Sequence, residues 1–363
     1  MALVFSTDWS IRGVQNTVKE IGARMTHHYP VAFSLLARGI ANIFKDTIRI
    51  SMVLFRILIP IVIIIKILEE LGLIAVIGSV LAPLMSLAGL PGSMGIVLAT
   101  AIFTNIYGGM VAFAAIFASE QLTVAQVTVI ATMMLVAHNF PIELAVARKA
   151  GMRVGVAFGV RMVGAFVLGA VLYHTYRLGD WLQQEAVLLW RPPYENPTLV
   201  QWALGEVQKL LIIFVIIFAL LLVLKILERL GVNEFLKWAL RPLLGRMGIG
   251  PEATNITLVG MMLGLAYGGG LIIREAQSGN IPHRDIFASL TLMGLTHSLI
   301  EDTLLMMLIG GHFSGLFWGR LLFSLVAVYL IMRLLSRVPD HTFYRFAFHP
   351  ARREDGGVQE PQR

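Results

Sequence analysis

LVAHNFPIELAVARKAG at 135–151 sets His138, Asn139, Pro141 and Glu143 inside a run apolar enough to enter a bilayer. GLTHSLIEDTLLMML at 294–308 does the same with His297, Ser298, Glu301 and Asp302. Ionisable side chains are expensive at that depth, so two such clusters mark candidate functional positions. Each cluster is followed by an arginine in the next apolar run. Arg161 comes 18 residues after Glu143, and Arg320 comes 18 after Asp302.

The recurrence extends along the chain. KILEELG at 66–72 returns as KILERLG at 225–231, an offset of 159 that also carries Pro83 onto Pro242, Gly89 onto Gly248, His138 onto His297, Glu143 onto Asp302 and Arg161 onto Arg320. Between these, Pro91 and Pro251 match at an offset of 160, as do Tyr107-Gly108-Gly109 and Tyr267-Gly268-Gly269. One inserted residue near Gly250 and one deletion before His138 account for the difference. Such a series identifies a tandem duplication. The domains expected are an amphipathic cytoplasmic N-terminal segment at 1–47, a first repeat at 48–176, an extracytoplasmic connector at 177–205 containing RPPYENP, a second repeat at 206–336, and a cytoplasmic tail at 337–363.

Composition fixes the class. A chain of 363 residues with 57% hydrophobic and 14% charged residues and a mean hydropathy of +0.76 is no ordinary soluble domain. An all-α polytopic membrane protein is expected. The formal charge of +7 does not point to nucleic acid, because the basic residues sit in short segments between apolar runs. With no cysteine, disulfides, thiolate metal sites and cysteine nucleophiles are excluded. The first 47 residues lack the apolar core and small-residue site of a cleaved signal peptide.

Each repeat reads as five runs. A first helix (about 50–70 and 206–230) precedes an amphipathic segment (about 73–88 and 232–247), which is too short to span and is placed along the interface. A third run (about 93–118 and 252–275) contains the Tyr-Gly-Gly. A fourth (about 123–147 and 284–309) carries the histidine, and a fifth (about 153–175 and 314–336) carries the arginine. The third run could cross once or turn back on itself, and loop charge selects the second option. If it re-enters, Arg38, Lys45, Arg49, Arg148, Lys149, Arg153, Arg229, Lys237, Arg241, Arg246, Arg274, Arg284 and the basic tail all fall on one face. That face is the cytoplasmic one by the positive-inside rule. The expected architecture is therefore two inverted-topology repeats, each of three transmembrane helices plus a re-entrant hairpin and an interfacial helix. Many secondary transporters follow this plan.

The repeated unit consists of an apolar helix ending in KILE-x-LG, then Pro83 or Pro242, a Gly-rich hairpin and a helix with an embedded polar cluster. It resembles the nucleoside-recognition, or Gate, domain of integral membrane proteins. That domain is shared by spore maturation proteins A and B, the membrane part of B-type ferrous iron transporters and concentrative nucleoside transporters. The resemblance covers nearly all of 48–336 and implies fold more than substrate. The chain has no Gly-x-x-x-x-Gly-Lys-Ser/Thr segment, so the whole iron transporter is not matched.

Around a turn near 150–152, Glu143 and Arg161 are expected at one depth, as are Asp302 and Arg320 around a turn near 311. These intramembrane ion pairs read either as structural or as pairs that break during transport. His297 and Glu301, four residues apart, would share a helix face. His138 and His297 read as satisfied by carbonyls or as contacts for substrate or protons. A metal site is not expected, since there are no sulfur ligands and no His-x-x-x-His spacing. The glycines read either as close helix packing or as an unwound hairpin tip lining a cavity. Substrate-binding candidates are Thr104, Asn105, Tyr107, Gly108, Gly109, His138, Asn139, Asn255, Tyr267, Gly268, Gly269, His297, Ser298 and Glu301, with Thr257 near the start of the second hairpin.

The functional expectation is a secondary transporter of a small polar solute in the bacterial inner membrane, with both termini cytoplasmic and a nucleoside-like compound as the leading substrate. A non-transporting scaffold or assembly factor of the spore-maturation type is the alternative. No enzyme activity, cofactor or nucleic-acid partner is expected, because HExxH, GxSxG and facing aspartates are missing. The lipid bilayer is the standing partner, and a proton or sodium as coupling ion and homo-oligomer formation are compatible with this plan.

Overall fold

The computed structural model describes residues 41–48, scattered positions between 51 and 70, and residues 71–117, 119–187 and 198–349. Most of the expected N-terminal segment, part of the first helix, the RPPYENP connector and the end of the tail lie outside the described residues. The described chain is helical, with two isolated bridges in place of any strand.

Helices recur in the same order in both halves. Helix α1 (Leu73–Ser86) follows Gly72, and α8 (Val232–Arg246) follows Gly231. Both glycines are left-handed, at φ 67° and 73°, so the repeated KILE-x-LG ends one helix and re-aims the chain into the next. Pro83 and Pro242 lie inside these two helices.

The third runs are hairpins of two helices. In the first half these are α2 (Met94–Phe103) and α3 (Ile106–Phe117). A Cβ on Gly109 would stand 2.7 Å from that of Ala101, whereas eight residues of straight helix would hold the two about 12 Å apart. The chain therefore turns back at Thr104-Asn105. The second-half counterparts, α9 (Pro251–Leu263) and α10 (Leu265–Ser278), pack along each other across Gly264, whose φ 80° and ψ 171° suit only glycine.

The fourth runs were expected to be continuous and are not. The first is α4 (Val124–Ala137) followed by α5 (Phe140–Lys149), with the break at His138-Asn139. The second is α11 (His283–Leu295) followed by α12 (Glu301–Leu308), with the break at 296–300. Asn139 at φ 55° and Ser298 at φ 45°, equivalent by the repeat offset, are both left-handed. A left-handed non-glycine residue is sterically costly, and its recurrence at both breaks marks a shared device.

The fifth runs are α6 (Val154–Leu178) and, after a π-helical turn at Ser314–Gly319, α13 (Arg320–Leu335). Helix α7 (Leu199–Arg229) opens the second half behind a Thr198–Gln201 capping box. Among the described residues, Val124–Lys149, Val154–Leu178 and Ser314–Leu335 are long and apolar enough to cross a membrane. Helix α4 is buried nearly throughout. Val163, Val167 and Val171 on α6, and Leu322, Val326 and Leu330 on α13, are exposed, as suits a face turned to lipid.

Contacts at the two ends orient these helices. At one end, the turn after α5 meets the start of α11 and the tail: Arg153 N–H donates to Ala347 O (3.0 Å) and His349 N–H to Gly151 O (2.7 Å). There Arg284 also donates to Leu335 O, Val338 O and Asp340. The tail contributes a short helix, α14 (Asp340–Phe346), and buries Phe343 and Phe348. At the other end, the start of α4 meets the chain that follows α12, where His312 N–H donates to Thr128 Oγ1 (2.9 Å), and Tyr176 and Ser314 share a 2.8 Å hydroxyl contact.

Candidate functional site: the crossing of two broken helices

A helix break releases carbonyls at the end of the first half-helix and N–H groups at the start of the second, and in a bilayer each needs a partner. Here protein supplies them. Asn139 N–H donates to Ala101 O (2.9 Å) and Leu299 N–H to Met261 O (2.9 Å), pinning each break to the first helix of the hairpin in its own half. Arg161 closes the end of α4 by donating from Nε to Val136 O (2.8 Å) and from Nη2 to His138 O (2.8 Å). Its remaining nitrogen, Nη1, lies 2.6 Å from Glu143 Oε2, close but off the line of a good hydrogen bond. The guanidinium also lies 4.7 Å from the centre of the Phe140 ring.

Glu143 occupies the first turn of α5, and Glu301 and Asp302 the first turn of α12, where the helix dipole favours negative charge. The second-half pair is looser. Arg320 is fully buried, yet Nη1 stands 4.0 Å from Asp302 Oδ2 and Nη2 donates only at 3.3 Å, to Leu299 O. Arg320 Nε and Nη1, Asp302 Oδ2 and Thr296 Oγ1 have no hydrogen-bond partner among the described residues. Arg320 follows directly on the π-helical turn, an irregularity that often accompanies functional positions. The matching stretch of α6 is regular.

The two histidines meet. His138 Nε2 and His297 Nε2 are 3.3 Å apart, and Glu143 Oε1 lies 3.5 Å from the first and 3.4 Å from the second. On the other side of each ring, Nδ1 bonds a carbonyl one helical turn back, Met134 O at 3.0 Å and Met293 O at 2.9 Å. Asp302 completes a close group with the two histidines. His297 lies in the break rather than on α12, so it shares no helix face with Glu301. The helix-face expectation for that pair is corrected, and Asp302 takes the place beside His297.

The remaining candidates sit around this crossing or apart from it. Tyr107 is half-buried and within electrostatic reach of Glu301 and Asp302. Thr104 and Asn105 form the hairpin turn and are used locally: Thr104 Oγ1 donates to Thr100 O (2.6 Å), and Asn105 Oδ1 accepts from Gly108 N–H (2.9 Å). Gly108 and Gly109 lie within α3, not at an unwound tip, and Gly109 makes room for Met134 and Ala101. Gly269, within α10, makes the same allowance for Val146 of the first half. Asn255 is exposed on α9, away from the crossing. Thr257 is buried and bonds Ser289 (2.7 Å). The side chain of Tyr267 and the surroundings of Gly268 lie outside what is described.

Beside Glu143 and Arg161 there is a cavity of about 20 Å³, water-sized. A larger concavity of about 510 Å³ lies between α6 and α13, but its lining, which includes Val163, Val167, Phe323 and Leu330, is apolar and offers a polar solute no anchor.

Spanning apolar helices around a buried polar crossing define a polytopic membrane protein with discontinuous helices. Residues 51–174 match the family described as Gate, nucleoside recognition. It is also similar to the uncharacterized membrane protein YvoD of Bacillus subtilis (strain 168), at 26% identity over 280 residues covering 75% of this chain and 86% of that protein. No solved structure gives a significant match.

Proposed function

We propose that the protein is a secondary carrier of a small polar solute, and that the crossing of the two broken helices is its transport site. One observation carries this reading: buried charged and imidazole groups from both halves converge where two helices are interrupted, an arrangement that costs stability and suits binding and release of a polar cargo. A scaffold has no need for such a group in each half.

The inverted-repeat plan is supported by the end contacts. The start of α4 lies against the chain after α12, while the end of α5 lies against the start of α11 and the tail, so equivalent helices run in opposite directions. The sorting of Arg153, Arg284 and Arg345 to one end supports placing that end in the cytoplasm of a bacterial cell, with the tail there. The solute class follows from the Gate description, which points to a nucleoside-like compound. A cavity of about 20 Å³ is far below the several hundred Å³ of an ordinary small-molecule pocket, so the solute enters only after the halves separate.

Uptake from a mixed metabolite pool into proteoliposomes, read by mass spectrometry under imposed proton or sodium gradients, tests the proposal. Accumulation of a nucleoside-like solute that Glu143→Gln abolishes is the expected result. A pool left unchanged under every gradient by protein that remains folded would overturn it.

A further inference from the structure

Two imidazoles and one carboxylate meet at the crossing in a way that neutral hydrogen bonding does not explain. Each Nδ1 faces a backbone carbonyl, which can only accept, so the ring proton resides on Nδ1 in both histidines. The Nε2 atoms are then bare lone pairs, and they point at one another across 3.3 Å. Glu143 Oε1, a third acceptor, sits 3.4 Å and 3.5 Å from them. Three acceptors thus form a nearly equilateral triangle with no donor among them. Arg161 holds the carboxylate from its other oxygen and so leaves Oε1 turned toward the imidazoles.

This triangle has the dimensions of one face of a metal coordination tetrahedron. For metal–ligand bonds of about 2.0–2.1 Å, the ligand–ligand edges of a tetrahedron are about 3.3–3.4 Å. Asp302 is the nearest candidate for a fourth ligand: one of its carboxylate oxygens lies within 4.8 Å of a ring nitrogen of each histidine, wider than a tetrahedral edge, so it would close in on a bound ion, and Oδ2 has no hydrogen-bond partner among the described residues. The Nδ1–H···O=C bonds match the outer-sphere contacts that fix tautomer and ring orientation in metal-binding histidines. Nitrogen and carboxylate donors without sulfur suit a divalent first-row ion such as Zn²⁺, Mn²⁺ or Fe²⁺.

We infer that the crossing is a divalent transition-metal site with His138 Nε2, His297 Nε2 and Glu143 Oε1 as ligands and Asp302 as the fourth. Two ligands come from each half, so the ion links the repeats at the point where they must separate for a solute to pass. Spacing within either half could not disclose the site, since the histidines are 159 residues apart. The inference goes beyond the carrier reading and does not depend on which solute is moved.

The test uses full-length protein in detergent, prepared without a histidine tag and stripped with chelator. Titration with Co²⁺, followed by visible absorption, and elemental analysis after Zn²⁺ loading should give about one ion per chain, with the intense visible bands of four-coordinate cobalt. His138→Gln and His297→Gln should each weaken binding by at least about tenfold, while His174→Gln, on the exposed end of α6, should retain wild-type binding. Wild-type protein should also melt at a higher temperature with Zn²⁺ than with Mg²⁺, a readout that needs no variant to fold. Stoichiometry near zero, undiminished binding in both crossing variants, or an identical melt with the two ions would overturn the site and leave a shared proton as the cation at the crossing. No solute gradient is involved, so a failed uptake assay and a failed metal titration remain separate results.

Discussion

Removing one member of the Glu143–Arg161 pair should cost far more than removing both would suggest. Arg161 is 3% exposed and Glu143 5%, so Arg161→Ala strands a carboxylate in low dielectric and takes the donors from Val136 O and His138 O. Breaking a buried pair from one side costs about 3–5 kcal/mol. Glu143→Ala leaves the guanidinium with its two carbonyls and should fall toward the lower end of that range. The double variant has no uncompensated charge, so a double-mutant cycle should show a coupling of about 2–3 kcal/mol. The same cycle on Asp302 and Arg320, whose closest approach is 4.0 Å, should show coupling of about 1 kcal/mol or less. Reversible unfolding in mixed micelles, compared at one fixed detergent fraction, supplies the free energies of the wild type, the four single variants and the two double variants. Additivity within about 0.5 kcal/mol at Glu143 and Arg161, or stronger coupling at Asp302 and Arg320, would refute the view that the first pair is the locked one.

Other consequences can be checked separately. In this cysteine-free chain, a cysteine at exposed Gln121 should react with an impermeant maleimide from outside and one at exposed Ser278 from inside; cytoplasmic labelling at Gln121 would sink the inverted-hairpin topology. Gly109→Leu should destabilise by about 1–3 kcal/mol through overpacking against Met134 and Ala101, whereas Gly155→Ala, with nothing within 4 Å, should be neutral or stabilising by up to about 1 kcal/mol in thermal melts. Asn139→Val should lower stability by about 1–3 kcal/mol and Asn139→Gly by much less, because only the β-branched residue resists φ 55°. In liposomes, His138→Gln combined with His297→Gln should remove gradient-driven accumulation at equal protein level; an unchanged rate and pH profile would take the histidines out of the mechanism.

Much of the architecture could be read from residues that repeat. KILE-x-LG, the glycines and the prolines recur because each half must make the same turns, and the left-handed Gly72 and Gly231 show what that motif does. The partners Glu143 and Arg161 were findable because a short turn between two spans fixes which residues share a depth. The helix breaks were harder to see. Pro141 at the start of α5 gave a signal in the first half, but the second break has neither proline nor glycine, and the left-handed Ser298 is flanked by a tertiary bond, Leu299 N–H to Met261 O, that no local pattern announces. Apolar periodicity runs straight through both. The meeting of His138 with His297 is likewise a property of how the halves pack and leaves no local pattern.

The central claim is that the crossing opens to each side of the membrane in turn, and sided labelling at Thr296 tests it most directly. Thr296 is fully buried in the second break, and its hydroxyl has no hydrogen-bond partner among the described residues, so Thr296→Cys places a thiol at the crossing with little change in volume. The account predicts slow reaction with an impermeant reagent applied from either face, in right-side-out and inverted vesicles alike, with each rate altered by solute. Reaction from one face only, or from neither in protein that folds normally, would contradict it.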